Sequence, residues 1–172
     1  MCSANSMDES VKCPGRLTRR SAVGLVAGLL ALPPSFARAA EPSEILVHKD
    51  PNCSCCAGWV RHLQGAGFAV TVRESTVLHL VRRRLGVPDD LAACHTAEAS
   101  GYVLEGHVPA VAVRRLRETR PEAIGLAVPG MPVGSPGMER GDKAPSEKYE
   151  VVLFGANGRQ TFMRFVGGDI VG

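Results

Sequence analysis

The chain has 172 residues, a length that fits one domain and hardly two. With 45% hydrophobic and 22% charged residues it has an ordinary globular composition, so a packed core is expected. The formal net charge of +3 belongs to the N-terminus: five of the 20 basic and two of the 17 acidic residues fall in the first 40, leaving 15 of each sign, so the charge balance gives no support to a nucleic-acid or acidic partner.

Residues 1–40 read as an export signal. Lys12, Arg16, Arg19 and Arg20 form a positive segment, Ala22 to Leu32 is apolar, Pro33-Pro34 follows, and Ala37-Arg38-Ala39-Ala40 offers small residues for cleavage. The apolar run is too short to span a bilayer of roughly 30 Å. Thr18-Arg19-Arg20-Ser21 also resembles a twin-arginine signal, with Ala22 where an aromatic residue is usual. The sequence therefore predicts a periplasmic protein whose mature part, residues 41–172, is a single domain that does not span the membrane. Cys2 and Cys13 leave with the signal, and Cys53, Cys55, Cys56 and Cys94 stay.

In the mature part, Ile45 to His48 is β-prone and predicts a first strand, ended by the turn signal Asp50-Pro51-Asn52. Cys56, Trp59, Val60, Leu63 and Ala66 recur at helical spacing, with Gly65 and Gly67 as the stop. Phe68 to Val72 predicts a second strand. A second helix is expected with Ser75 or Thr76 as its cap, with Val77, Leu80, Val81 and Leu85 facing inward, and with Gly86 as its end. On that helix Arg82-Arg83-Arg84 reads as a solvated face. Tyr102 to Leu104 suits a strand, whereas Pro109 to Arg117 is either a helix opened by proline or an extended segment. The Gly-, Pro- and Met-rich stretch from Gly125 to Gly141 predicts a long ordered loop, a feature that is often functional. Tyr149 to Phe154 and Gln160 to Val166 flank Asn157-Gly158, a hairpin signal. This order predicts an α/β fold: a thioredoxin-like sandwich with a small mixed sheet and a C-terminal β-hairpin, in which cysteines sit between the first strand and the first helix.

Cys53-Ser54-Cys55-Cys56 puts three thiols in four residues at a predicted helix N-terminus, where negative charge is favoured and thiols ionise more readily. Thiolates are soft ligands and select copper(I) or zinc. Cys55 and Cys56, being adjacent, do not easily point at one ion, a difficulty that a thiolate-bridged polynuclear cluster relieves. Two other readings stay open: disulfide chemistry at the Cys53/Cys56 pair, and two structural disulfides among the four cysteines. Met131 and Met138 lie in the glycine-proline loop, where thioethers would suit copper(I); packing in gaps of the core is the alternative. His107 and, beside Cys94, His95 are weaker ligand candidates, and His48, His62 and His79 read as structural. Met163 alternates within the last strand and is expected in the core. No phosphate loop, serine nucleophile elbow or His-Glu-x-x-His motif is present.

Three blocks resemble the DUF411 family: His48-Lys49-Asp50-Pro51-Asn52-Cys53-Ser54-Cys55-Cys56 with Trp59; Cys94-His95-Thr96-Ala97 followed by Gly101-Tyr102 and Glu105-Gly106-His107-Val108-Pro109; and the run from Gly125 to Glu139. Ser54 stands where the family usually has glycine. The resemblance implies a thioredoxin-like fold, copper bound through the Cys-x-Cys-Cys motif and a role in copper resistance. It makes Cys53, Cys55 and Cys56 the primary ligands, with Cys94, Met131 and Met138 as further ligands or close neighbours. The expected function is thus a cell-envelope copper-binding protein that sequesters or redox-cycles the metal, with other envelope copper-handling proteins as partners. A periplasmic thiol-disulfide oxidoreductase using Cys53 and Cys56 is the alternative, and whether any copper turnover is catalytic is left open.

Overall fold

The computed structural model describes residues 44–141 and 144–172. The expected export signal and the leader that follows it lie outside the described residues. The first half of the chain alternates strands and helices: β1 (Glu44–Lys49), α1 (Ser54–Gly65), β2 (Ala69–Glu74), α2 (Leu78–Leu85), β3 (His95–Ala99), β4 (Tyr102–Gly106) and α3 (Ala110–Thr119). Only strands follow: β5 (Gly125–Val128), β6 (Lys148–Gly155), β7 (Gly158–Val166) and β8 (Asp169–Ile170). All eight strands join one mixed sheet in the order β2-β1-β3-β4-β5-β6-β7-β8. The β1–β2 and β4–β5 pairs are parallel and the others antiparallel. Each parallel pair is bridged by a helix, α1 or α3, because parallel neighbours need a crossover.

The α/β class is as expected, but the sheet is larger than the small one predicted. β5 lies inside the stretch expected to be all loop: Gly125–Val128 is a short buried run hidden by the glycine and proline around it. β3 escaped the sequence reading because His-Thr-Ala-Glu-Ala has a single β-branched residue and no aliphatic alternation.

Alternation along the strands divides the apolar residues between two faces. One face carries the main core: Ile45 and Val47 of β1, Leu104 of β4, Leu126 and Val128 of β5, and Val151 and Leu153 of β6 pack with Trp59, Val60 and Leu63 of α1 and with Ala112, Val113 and Leu116 of α3. Met163 is buried there, as expected. The other face carries a smaller cluster of Val87, Leu91, Val103, Ala127 and Phe154, against which Leu85 leans.

The helix from the cysteine cluster buries the expected stripe of Cys56, Trp59, Val60 and Leu63. Pro109 is the N-cap of α3, which resolves the ambiguous segment as helix and carries it to Thr119. The hairpin forms with Ala156 and Asn157 as its turn, because Gly155 pairs with Gly158.

The second helix departs from expectation. Gly86 ends it in the left-handed region at φ 74, but α2 has no buried residue, Leu80 is 51% exposed, and Val77 is both exposed and the N-cap. Its apolar residues had been expected inward. What ties α2 to the sheet is charge: Arg82 Nε lies 2.8 Å from Glu105 of β4, and Arg84 Nη2 lies 3.0 Å from Glu98 of β3. Arg82, expected on a solvated face, is thus a mostly buried ion-pair partner.

Candidate metal centre

The site forms where one end of the sheet brings four separate segments together. Asp50 opens a tight turn after β1: its side chain accepts from Asn52 N at 2.8 Å and its carbonyl from Cys53 N at 3.1 Å. Cys53 is therefore the N-cap residue of α1, in extended conformation, and Cys55 and Cys56 lie in the first turn. β3 runs antiparallel beside β1, with Lys49 opposite His95, so Cys94 arrives next to the cysteine turn. β4 pairs with β3 in turn, Thr96 opposite Glu105, which carries His107 to the place opposite Cys94.

Cys53 and Cys56 are joined by a disulfide, and Cys55 and Cys94 are free thiols. Cys55 Sγ lies 3.4 Å from Cys53 Sγ and 3.8 Å from Cys94 Sγ. Cys94 Sγ is also 3.1 Å from His107 Nε2 and 3.4 Å from His95 Nδ1. Two overlapping donor groups result, Cys53/Cys55/Cys56/Cys94 and Cys94/His95/His107, each with its ligand atoms within 4.8 Å of one another. Cys94 belongs to both.

Burial favours the neutral forms of Cys94, His95 and His107. Burial, followed by the neighbouring Cys55, pushes the Cys94 thiol up to about 12, so this sulfur is not among those that ionise readily at a helix N-terminus. Burial, followed by the neighbouring His107, pushes His95 down to about 3. Burial also lowers His107, with the Pro136 carbonyl and Glu139 opposing it. His107 Nδ1 lies 2.8 Å from Pro136 O. A carbonyl can only accept, so Nδ1 donates and the lone pair of the neutral ring sits on Nε2, facing Cys94. His95 is fully buried, its ring 4.2 Å from Trp59 and edge-on to His107, and its Nε2 has no hydrogen-bond partner.

The methionine loop is anchored by a glycine pair. Gly137 (φ +86) packs so tightly on α1 that a Cβ there would stand 2.5 Å from Trp59 N and 2.7 Å from Cys55 O, and one on Gly58 would stand 2.8 Å from Gly137 Cα. This contact brings Pro136 over His107 and places half-buried Met138 next in the chain to the turn of Cys55. Met131 is 55% exposed.

Of the candidates from sequence, the structure thus brings Cys53, Cys55, Cys56, Cys94 and His107 together. His95, like His107 a weaker candidate, joins them; its signals were its position next to Cys94 and its place in the family-like block. His62 has a structural role, its Nε2 accepting from Ala110 N at 3.0 Å at the start of α3, and His48 pairs with Glu98 at 2.9 Å.

The model of the family described as a protein of unknown function, DUF411, matches residues 91–138, from just before Cys94 to Met138. Two solved structures of copper resistance protein CopG are each 45% identical to this chain. Form 1 has a TM-score of 0.69 and the match covers 74% of this chain and 100% of that one; form 2 has a TM-score of 0.68, with 73% and 99% covered. The chain belongs to the DUF411 family. No curated protein matches it. Among the described residues of this DUF411 protein, no helix is long and apolar enough to cross a membrane.

Proposed function

We propose that this protein is exported to the periplasm and serves copper resistance by holding copper(I), as cargo, on Cys53, Cys55, Cys56 and Cys94. The observation that carries this reading is the convergence of four cysteine sulfurs, from segments some 40 residues apart, within 4.8 Å. Soft sulfur donors at that density select copper(I) over harder ions, and adjacent Cys55 and Cys56 favour thiolates shared in a polynuclear cluster. Met138, and Met131 from the exposed part of the loop, would add neutral sulfur donors, and His107 a lone pair already turned to Cys94. A thioredoxin-like reading of the 41–172 domain is supported by the β1–α1–β2 parallel unit with its Cys-x-x-Cys at the head of α1.

The disulfide between Cys53 and Cys56 bears on how cargo enters. Opening it takes two electrons and two protons, supplied by a partner dithiol that becomes a disulfide in exchange, and gives two thiols. Binding then expels protons from the thiols, Cys94 included, so uptake is pH-dependent. The same disulfide favours a second reading, a periplasmic thiol-disulfide oxidoreductase using Cys53 and Cys56 on protein partners.

Metal analysis with thiol titration on the mature protein from copper-fed cells tests the first reading, with more than one copper(I) per chain as the expected result. Cys55→Ser should abolish that stoichiometry. Metal-free turnover in an insulin-reduction assay, undiminished in Cys55→Ser, would instead establish the oxidoreductase.

A further inference from the structure

Glu105 lies one residue before Gly106 and two before His107, and its carboxylate is fully buried and close enough to add its charge to the forces that raise the Cys94 thiol. A buried carboxylate is costly unless every lone pair is used. Here Oε1 accepts from Arg82 Nε at 2.8 Å and from Ala93 N at 2.6 Å, and Oε2 accepts from Thr96 Oγ1. Arg82 closes the loop by donating from Nη2 to the Ala93 carbonyl. Both polar backbone groups of Ala93 are thereby satisfied by the ion pair, and Thr96 is held by the same carboxylate. The two residues between those anchor points are Cys94 and His95.

We infer that the Arg82–Glu105 pair is a positioning device for the metal centre: it fixes the Ala93–Thr96 segment so that Cys94 Sγ is presented to Cys55 and His107. The packing agrees with this role. Gly106 at φ +72 lets the segments approach so closely that a Cβ there would stand 2.8 Å from Ala93 Cβ and 2.5 Å from Val128 O. Arg82 comes from α2, a helix with no buried residue, so the pair also couples that helix to the cysteine. Its partner tether, Arg84–Glu98, is more exposed and touches neither Ala93 nor Thr96, which makes it the internal control.

The inference rests on the copper reading for its affinity arm and on the metal-free protein for its other arm. In copper(I) competition against a chromogenic chelator, Glu105→Gln should weaken binding about tenfold or more, the scale of losses from supporting hydrogen bonds around a metal. In a Cys94→Ser background the same substitution should change nothing, whereas a general loosening of the fold would weaken both backgrounds equally. Glu98→Gln should leave affinity unchanged. Arg82→Lys retains the charge but cannot reach both Glu105 and Ala93, and takes the place of Glu105→Gln should that variant not fold.

In the reduced, metal-free chain, alkylation of Cys94 by iodoacetamide, read by peptide mass spectrometry, should accelerate several-fold in these variants relative to Cys55. Equal losses in both backgrounds, or an unaltered Cys94 alkylation rate in a folded variant, would overturn the inference. Absence of any copper binding by the wild type, with alkylation nevertheless accelerated, would overturn the copper reading and leave the positioning role standing.

Discussion

The first two helices are built on opposite principles. α1 buries Cys56, Trp59, Val60 and Leu63 under the sheet and is fastened by apolar contact, with Trp59 Nε1 donating to Val108 O at 2.8 Å. α2 has no fully buried residue; only Leu85 at its end leans on the smaller core cluster, and the helix is fastened chiefly by arginines to carboxylates on β3 and β4. The difference separates rigidity from adjustability: the helix that carries three of the cysteines is immobilised by packing, and the fourth cysteine depends on a polar tether that charge and solvent can weaken.

The comparison breaks most visibly at Trp59. Trp59→Ala should cost about 3–5 kcal/mol, since it removes a fully buried ring that lies tilted against His95 and a buried hydrogen bond; urea unfolding of the reduced, metal-free protein measures it. A loss below 1 kcal/mol would mean that α1 is not held by its apolar face.

Acid should sharpen the contrast next. His95 is held neutral, at about 3 against an ordinary 6.5, so below 6.5 the unfolded chain binds the extra proton and the folded one does not. Its contribution to stability is full above 6.5 and is lost as pH falls towards 3, by at most about 1.4 kcal/mol per unit. Glu105, raised chiefly by burial, acts with the opposite sign, so the comparison must isolate His95. The stability difference between wild type and His95→Gln should therefore change steadily between pH 6.5 and pH 3.5 and be flat above pH 7.

A smaller effect is expected where the loop meets α1. Gly137→Ala forces a Cβ against the backbone of Cys55 and Trp59 at a left-handed φ, for a cost of about 1–3 kcal/mol. Because the clash lies at the cysteine turn, Cys55 reactivity towards a thiol probe should rise in the same variant. The smallest effect belongs to α2: Leu80→Ser, on the exposed face, should lie within about 0.5 kcal/mol of wild type by thermal or urea unfolding. A large loss there would show that α2 packs against something after all.

These contrasts also mark what was legible in the sequence. The stripe from Cys56 to Leu63 is a local pattern, and the helix that it predicts is present. Pro109 at the head of α3 and the turn near Asn157 are likewise local signals, although the sequence left the segment after Pro109 open between helix and extended chain. Short-range rules overread α2: of the expected inward stripe Leu85 does lean on the smaller core cluster, but Val77 and Leu80 are exposed, and the charged attachment runs from Arg82 to Glu105, 23 residues away. The triplet Arg82-Arg83-Arg84 gives no hint that its first member is mostly buried in an ion pair and its second exposed. At the site, Cys53, Cys55 and Cys56 announce themselves by spacing. Cys94 entered as a ligand through the family resemblance and His107 as a weaker candidate from the residues alone; the two converge only through the register of β1, β3 and β4, and burial of His95 depends on that same register. No window of the sequence encodes such a meeting.

The register has a consequence for how the molecule matures. The donor atoms come from three stretches in succession along the chain, and the neighbouring strands β1 and β3 are separated by a helix, a strand and another helix. Ordering that much intervening chain costs entropy before the long-range contacts can form, so Cys94 and His107 remain apart from the local turn of Cys53, Cys55 and Cys56 in a nascent or half-folded polypeptide and reach it only late. The sulfur cluster is therefore a built-in reporter of completed folding.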